Sequence, residues 1–196
     1  MITTEGFQPC NLKVLNSYFN ASNGVSMLII QAHDIFISNC VFYNITFALY
    51  YTVNVDINNC KIHDNSTRIQ MLAFNINGDG SYNKNSAEFY SLIKRININN
   101  NKIYCGNSIF KFIDRHNYFI NVYANEFLVT RQLTNDRVSD TYNYWKNNSF
   151  HNNQVVMLTK YDINNADAKL EGSYIYIVFN ADCYNNHFIC NNGGRI

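Results

Sequence analysis

The sequence predicts an all-β solenoid, in which short strands stack into about seven to nine coils of 20–24 residues. An eight-residue pattern, read as apolar, x, apolar, x, Asn, small or Asn, x, Phe or Ile, recurs seven times in the 196 residues. It is plainest in IFISNCVF at 35–42 and VDINNCKI at 55–62. Alternation of apolar and other residues within each copy has the period of a half-buried strand.

Each copy ends on an apolar anchor, and the spacing of these anchors defines the repeat. Most successive anchors are separated by one period of the predicted solenoid, whereas Ile62 and Ile103, and the last two anchors, are separated by nearly twice that length. Strand repeats of this period are typical of β-solenoids. The anchor column consists of Phe19, Phe42, Ile62, Ile103, Phe127, Phe150 and Phe188.

Asparagine occupies the position three before the anchor in six of the seven copies, and Ala124 occupies it in the other. Asn tolerates left-handed backbone conformations, so this corner column predicts a sharp turn between two strands. Stacked coils would bring the amides of one column within reach of each other, as in a ladder. We therefore predict a structural ladder at Asn39, Asn59, Asn100, Asn147 and Asn185.

The pattern resembles the right-handed parallel β-helix of the pectin-lyase-like superfamily, whose coils carry an internal Asn ladder at one tight turn. The resemblance extends from residue 12 to about residue 192. It implies one β-helix domain over 1–196, and it favours an extracellular, cell-surface or virion location. It leaves the activity open, because the superfamily includes polysaccharide lyases, polygalacturonases, phage tailspikes and adhesins.

Composition narrows the classes of partner. The 15 basic and 14 acidic residues nearly balance, so no polybasic surface for nucleic acid is expected. No apolar run has the length of a membrane span, and the N-terminal residues do not read as a signal peptide. Neither terminus offers a capping helix, so we expect a segment of a larger protein, or a subunit of a homotrimer or larger assembly.

Two of the six cysteines share a column. Cys40 and Cys60 both stand two before the anchor, which places their Cα atoms about 5 Å apart in neighbouring coils. A disulfide and a pair of buried thiols are both compatible with this spacing. No pair has the CxxC spacing of a zinc site, so no metal is expected at these thiols.

The two long gaps could carry chemistry on loops, or each could hide a further coil, for instance around 69–76. Asp79, in the sequence NGDG, is the first residue to test as a catalytic acid, although a polar turn explains it as well. The Asp-Asp, NTD, GHG and RIK motifs of the polygalacturonases are absent. No cofactor is expected, with Ca²⁺ as the exception if the protein is a lyase.

Outward positions suggest a binding face. The position after the anchor includes Tyr and His side chains, and the position four before the anchor adds more Tyr. Such a row could stack sugar rings and bond their hydroxyls, although it could also pack against loops or a neighbouring subunit. The predicted ligand-binding residues are Tyr43, His63, Tyr104, Tyr123, His151 and Tyr184.

We therefore expect a non-catalytic β-helix module that presents a glycan- or protein-binding face in a cell-surface or phage-tail-type assembly. One alternative is a polysaccharide lyase or glycoside hydrolase that acts on an acidic polysaccharide. The other alternative is a purely structural rod.

Overall fold

A computed structural model describes residues 2–3, 11–30, 33–50, 52–64, 72–77, 96–105, 108–112, 120–129, 132–134, 148–158 and 181–191. Within these ranges every regular element is a strand, and no helix long and apolar enough to cross a membrane is found there. The strands are β1 Ile2–Thr3, β2 Leu12–Leu15, β3 Tyr18–Ile30, β4 His33–Ser38, β5 Val41–Tyr50, β6 Val53–Asn58, β7 Lys61–Asp64, β8 Leu72–Asn77, β9 Ile96–Asn99, β10 Lys102–Cys105, β11 Ser108–Phe112, β12 Ile120–Tyr123, β13 Glu126–Val129, β14 Gln132–Thr134, β15 Asn148–His151, β16 Gln154–Leu158, β17 Ala181–Tyr184 and β18 His187–Asn191.

These strands form two sheets, and all of their pairings are parallel. The seven-stranded sheet has the order β17-β15-β12-β9-β6-β4-β2, with one strand from each repeat. The eleven-stranded sheet contains the strand that follows each Asn corner, and it continues through β3 and β5 onto β1, β8, β11 and β14. The described part of the chain is thus all-β, and its two parallel sheets are consistent with a β-solenoid.

A rung denotes one strand of the seven-stranded sheet together with the next strand along the chain. Successive rungs pair residue for residue, for example Ile35 with Val55 and Phe42 with Ile62. The alternating apolar residues therefore fall one above another in the core. Several of the largest buried side chains are phenylalanines: Phe42, Phe47, Phe74, Phe110, Phe127 and Phe150.

The sixth copy of the repeat is in a different phase from the one that the sequence predicts. Phe150 does not align with the anchors: it pairs with Val122 and with Cys183, in the column five before the anchor. The anchor of this rung is Val155, which pairs with Phe127 and Phe188. The repeat is therefore NSFHNNQV at 148–155, five positions later than predicted.

Neither long gap inserts a rung between the described strands that flank it. Val55 pairs directly with Ile96 across the first gap, and Phe150 pairs directly with Cys183 across the second. The stretch 72–77, near the predicted hidden coil, is β8, which pairs with β5 and β11 on the extension of the eleven-stranded sheet. β8 is thus neither of the two strands that make up a rung. It belongs to a third side of the repeat, formed by β8, β11 and the C-terminal part of β5.

Candidate functional site

The six predicted ligand-binding residues lie on the outer surface in two continuous stacks, one on each sheet. Tyr43, His63 and Tyr104 are consecutive partners in the eleven-stranded sheet. Tyr123, His151 and Tyr184 are consecutive partners in the seven-stranded sheet. Counted from the predicted anchor Phe150, His151 would fall in the column of His63, one position after the anchor, but the phase of the sixth copy places it in the other stack.

The stack on the eleven-stranded sheet is tilted. The Tyr43 and His63 ring centroids are 5.4 Å apart with planes at 33°, and those of His63 and Tyr104 are 4.7 Å apart at 59°. Tyr18 extends the stack, with its ring 5.7 Å from that of Tyr43. Because tilted rings do not cover each other, part of each ring face stays open to a ligand.

The stack on the seven-stranded sheet is closed. The His151 ring lies 5.2 Å from Tyr123 and 4.6 Å from Tyr184, with interplanar angles of 2° and 5°. Each ring face inside this stack is covered by its neighbour. A ligand approaching from solvent therefore meets ring edges and polar atoms rather than ring faces.

A groove of about 260 Å³ begins at the His63 and Tyr104 end of the tilted stack and continues past Leu128 to Val156. His63 and Tyr104 line it together with the aliphatic Leu128, and charged side chains border it. Lys102 Nζ is 3.1 Å from a carboxylate oxygen of Glu126, and both side chains are largely exposed. Lys61 Nζ lies 5.9 Å from the centre of the Tyr43 ring, within the range of a cation–π contact. The groove thus combines apolar rings with cationic and hydrogen-bonding groups.

The charged rim of the groove was missed in the sequence. It comes from the column one before the anchor, which contains Lys61, Lys102, Glu126 and Gln154. This column is two positions from the Tyr/His column, so the period of two places both on the outer face. Alternation could have identified these residues, since the column holds a charged residue in three successive copies, Lys61, Lys102 and Glu126.

The corner column has the predicted backbone conformation. Asn39, Asn59, Asn100 and Asn185 have φ of 56°, 51°, 54° and 53°, and Ala124 has φ of 54°. Asn147 lies outside the described residues. In the corrected phase Asn152 takes its place, with φ of 54°.

The side-chain ladder is formed one residue later than predicted, in the column two before the anchor. Asn125 Oδ1 accepts from the backbone N–H and the side-chain Nδ2 of Asn101, at 3.0 and 3.1 Å. Asn125 Nδ2 donates to the Ile98 carbonyl and to Asn153 Oδ1, at 2.9 and 3.1 Å. The corner asparagines cannot form this ladder because they are exposed, whereas the following residue points into the core. The ladder asparagines are Asn101, Asn125, Asn153 and Asn186.

Two cysteines continue the ladder column in the earlier rungs. Cys40 and Cys60 are buried free thiols, so no disulfide joins them. Cys40 Sγ lies 3.5 Å from the Val14 carbonyl and Cys60 Sγ lies 3.9 Å from the Ile37 carbonyl. These carbonyls occupy the position that accepts from the amide in the Asn rungs. Loss of solvation on burial raises the pKa of the Cys60 thiol to about 11.

Three carboxylates in the described ranges are each bonded to their own partners. Asp56 Oδ1 accepts from the amides of Asn58 and Asn99, each at 3.1 Å. Asp34 Oδ1 accepts from Asn54 at 3.0 Å, and Glu126 pairs with Lys102. Within the part of the chain that the structure describes, no three His, Cys, Asp or Glu residues form a group that could hold a metal. Asp79, the predicted catalytic candidate, lies outside the described residues.

Comparison with known proteins finds no family model, curated protein or solved structure that matches this chain.

Proposed function

We propose that the chain is a right-handed parallel β-helix of seven coils and acts as a non-catalytic glycan-binding module. The hand follows from the strong preference of parallel strand connections for right-handed crossovers. Direct pairing across both long gaps supports the number of coils. By resemblance, the module would belong to a cell-surface or phage-tail-type assembly.

The groove beside the tilted stack is the observation that carries this proposal. Tilted faces of Tyr43, His63 and Tyr104 offer apolar platforms for the C–H face of a sugar ring. Lys61, Lys102, Glu126 and Gln154 offer donors and acceptors for its hydroxyl groups. A few polar groups around an apolar surface are the usual composition of a small-ligand site.

The closed stack takes a supporting role in this proposal. Tyr123, His151 and Tyr184 present edges and polar atoms at the spacing of the rungs, about 4.8 Å. A bound glycan chain that runs along the stacking direction would meet one such group at each rung. Their contribution would be hydrogen bonding rather than stacking.

A glycan array on the 196-residue protein, followed by calorimetry with the best ligand, tests the proposal. We expect Tyr104→Ala to weaken binding roughly tenfold, about 1.4 kcal/mol, because it removes a stacking face and one wall of the groove. Phe36→Ala is the matched control, since Phe36 is a half-buried aromatic on the other sheet. Equal loss in both variants, or no glycan bound at all, would contradict the proposal.

The lyase or hydrolase alternative has a separate test. The protein is incubated with acidic polysaccharides, with and without Ca²⁺, while viscosity and reducing ends are followed. No cleavage is expected. Cleavage that Asp79→Asn abolishes would overturn the non-catalytic assignment and move the site to the first long gap.

A further inference from the structure

The groove on the eleven-stranded sheet has two chemically different ends. Along it, the residue after the anchor changes from the rings of His63 and Tyr104 to the aliphatic side chains of Leu128 and Val156, one residue per rung. All four are half-buried, so part of each side chain is open to solvent. Four rungs spaced by about 4.8 Å span roughly 14 Å, which suits an oligosaccharide rather than a single sugar.

Positive charge is concentrated at the aromatic end of the groove. Lys61 and Lys102 are register partners in adjacent strands, and both are exposed. Like charges in this relation repel and weaken a sheet. On its other side Lys102 is compensated by Glu126, at 3.1 Å. On its other side Lys61 has the uncharged Val41 as its register partner.

Lys61 therefore has a charge for which the described part of the chain supplies no carboxylate. Its contact there is with the Tyr43 ring, whose centre lies 5.9 Å from Nζ. At an exposed site and at the edge of the cation–π range, such a contact contributes little. An anionic group bound beside Lys61 would relieve its repulsion with Lys102. Binding sites commonly retain arrangements of this kind at a cost in stability.

The opposite end of the groove is aliphatic. Leu128 and Val156 are register partners there, and the neutral Gln154 borders them. The Gln154 amide can both donate and accept hydrogen bonds. An apolar surface next to an amide matches an acetamido group, which joins a methyl group to an N–H and a carbonyl. Glu126, in the rung of Leu128, disfavours an anionic group at this end.

We propose that the groove binds a glycan in one direction, with an anionic sugar at Lys61 and an N-acetylated sugar at Leu128 and Val156. The inference rests on the proposed glycan-binding function and adds to it the class of ligand and its orientation. The Lys61 ammonium would bind the carboxylate of the anionic sugar through charge-assisted hydrogen bonds. The rings of His63 and Tyr104 would stack on the sugar faces between the two ends.

The charges of the groove set the orientation of the bound chain. The reverse orientation would place the carboxylate near Glu126 and the acetamido methyl group beside Lys61 and Lys102. Repulsion and the loss of apolar contact with Val156 would both weaken binding in that orientation. One orientation is therefore favoured by both ends of the ligand.

Calorimetry with a synthetic tetrasaccharide tests the inference. The probe has a hexuronate at one end, an N-acetylhexosamine at the other and neutral hexoses between them. Two matched probes each change one group: in the first the carboxylate is reduced to an alcohol, and in the second a hydroxyl replaces the acetamido group. We expect each change to weaken binding roughly tenfold. Added salt should weaken binding of the probes that carry the carboxylate and leave the carboxyl-reduced probe unaffected.

Variants of the protein assign each end of the probe to its end of the groove. Lys61→Gln should weaken binding of the full probe roughly tenfold and leave the carboxyl-reduced probe unchanged. Leu128→Thr should weaken binding of the full probe and leave the probe without the acetamido group unchanged. Lys13→Gln is the matched control, since Lys13 is an exposed lysine on the outer face of the seven-stranded sheet, and it should bind all three probes as the unaltered protein does.

Urea denaturation gives a second measurement on Lys61. Because Lys61→Gln removes the repulsion with Lys102, its unfolding midpoint should rise. Lys13→Gln should keep its midpoint, since Lys13 is the register partner of the uncharged Phe36. A variant that is more stable and binds less cannot be explained by loss of folding. A midpoint of Lys61→Gln that does not rise would overturn the inference, because the charge of Lys61 would then be compensated within the protein.

The outcomes separate this inference from the proposed function. Equal affinity for the probes with and without the carboxylate, or equal loss of both in Lys61→Gln, would overturn the inference and leave glycan binding in place. A carboxylate effect that Leu128→Thr removes, together with an acetamido effect that Lys61→Gln removes, would show the reverse orientation and also overturn it. A glycan array on which nothing binds would overturn the inference and the proposed function together.

Discussion

At the residue scale, asparagine has two different structural roles at two adjacent positions of the repeat. At the corner its backbone takes positive φ, which most residues adopt only at a cost, and the side chain faces solvent. At the next position the amide is buried, satisfies a backbone N–H and a carbonyl of the preceding rung, and donates to the ladder side chain of the next rung. Buried polar groups stabilise a fold only when they are bonded in this way. The pair therefore fixes both the direction of the chain and the register of the stack.

Ala124 is the corner residue with the least suitable side chain. It holds φ of 54° without the tolerance that Asn has for this region. We expect Ala124→Asn to raise the free energy of unfolding by about 1 kcal/mol, measured by urea denaturation at unchanged m. The reverse change at an equivalent exposed corner, Asn59→Ala, should lower it by about the same amount. Equal stability of all three proteins would show that the corner carries no strain.

Because of Cys60, the free energy of unfolding should decrease at alkaline pH. Burial raises the pKa of its thiol from 9.0 to about 11, so the folded protein favours the neutral thiol. This stabilisation is fully present below pH 9, the ordinary value, and is lost as the pH rises towards 11. Relative to Cys60→Ser, which does not titrate, the free energy of unfolding should fall by roughly 2 kcal/mol over this range. A difference that is constant with pH would contradict the assignment.

At the element scale, each strand is held by the apolar column that it contributes to the core. Phe74 places β8 in a row of stacked rings, with its centroid 5.5 Å from Phe47 and 5.3 Å from Phe110. Phe74 is fully buried. Aromatic stacking thus continues along the third side of the repeat, where β8, β5 and β11 pair.

Truncation of Phe74 tests this role. Phe74→Ala should cost about 3–5 kcal/mol, because it removes a buried ring and leaves a cavity between two others. Phe36→Ala is the control, since it deletes the same ring at a half-buried outer position and should cost about 1 kcal/mol. Urea denaturation measures both, and hydrogen exchange over 72–77 shows whether β8 is released. A similar cost for the two variants would mean that the core tolerates the cavity.

At the scale of the whole molecule, each rung pairs only with the rungs beside it. Stability in such a stack is a sum over neighbouring interfaces, so a terminal rung has one interface fewer than an inner rung. The core residues of the first and last rungs are accordingly less buried than those of the inner rungs.

Hydrogen exchange should follow this gradient. In dilute protein, amides of β9, β10, β12 and β13 should exchange slowest, and those of β2 and β17 fastest. Mass spectrometry of exchanged peptides measures this gradient. Uniform protection along the stack would contradict the view that stability is a sum over the interfaces between neighbouring rungs.

The sequence by itself determined the parallel strands, the columns of the core and the Asn corner. The reason is that the alternation within a strand and the recurrence of the repeat depend only on the order of residues along the chain. The tertiary structure decided the phase of the sixth copy. NYWKNNSF at 143–150 and NSFHNNQV at 148–155 both fit most of the pattern, and only stacking of Asn153 on Asn125 selects the second. That choice in turn decides that His151 stacks with Tyr123 and Tyr184 rather than facing the groove. Column membership depends on which residue lies above which, and that relation exists only once neighbouring rungs are hydrogen-bonded.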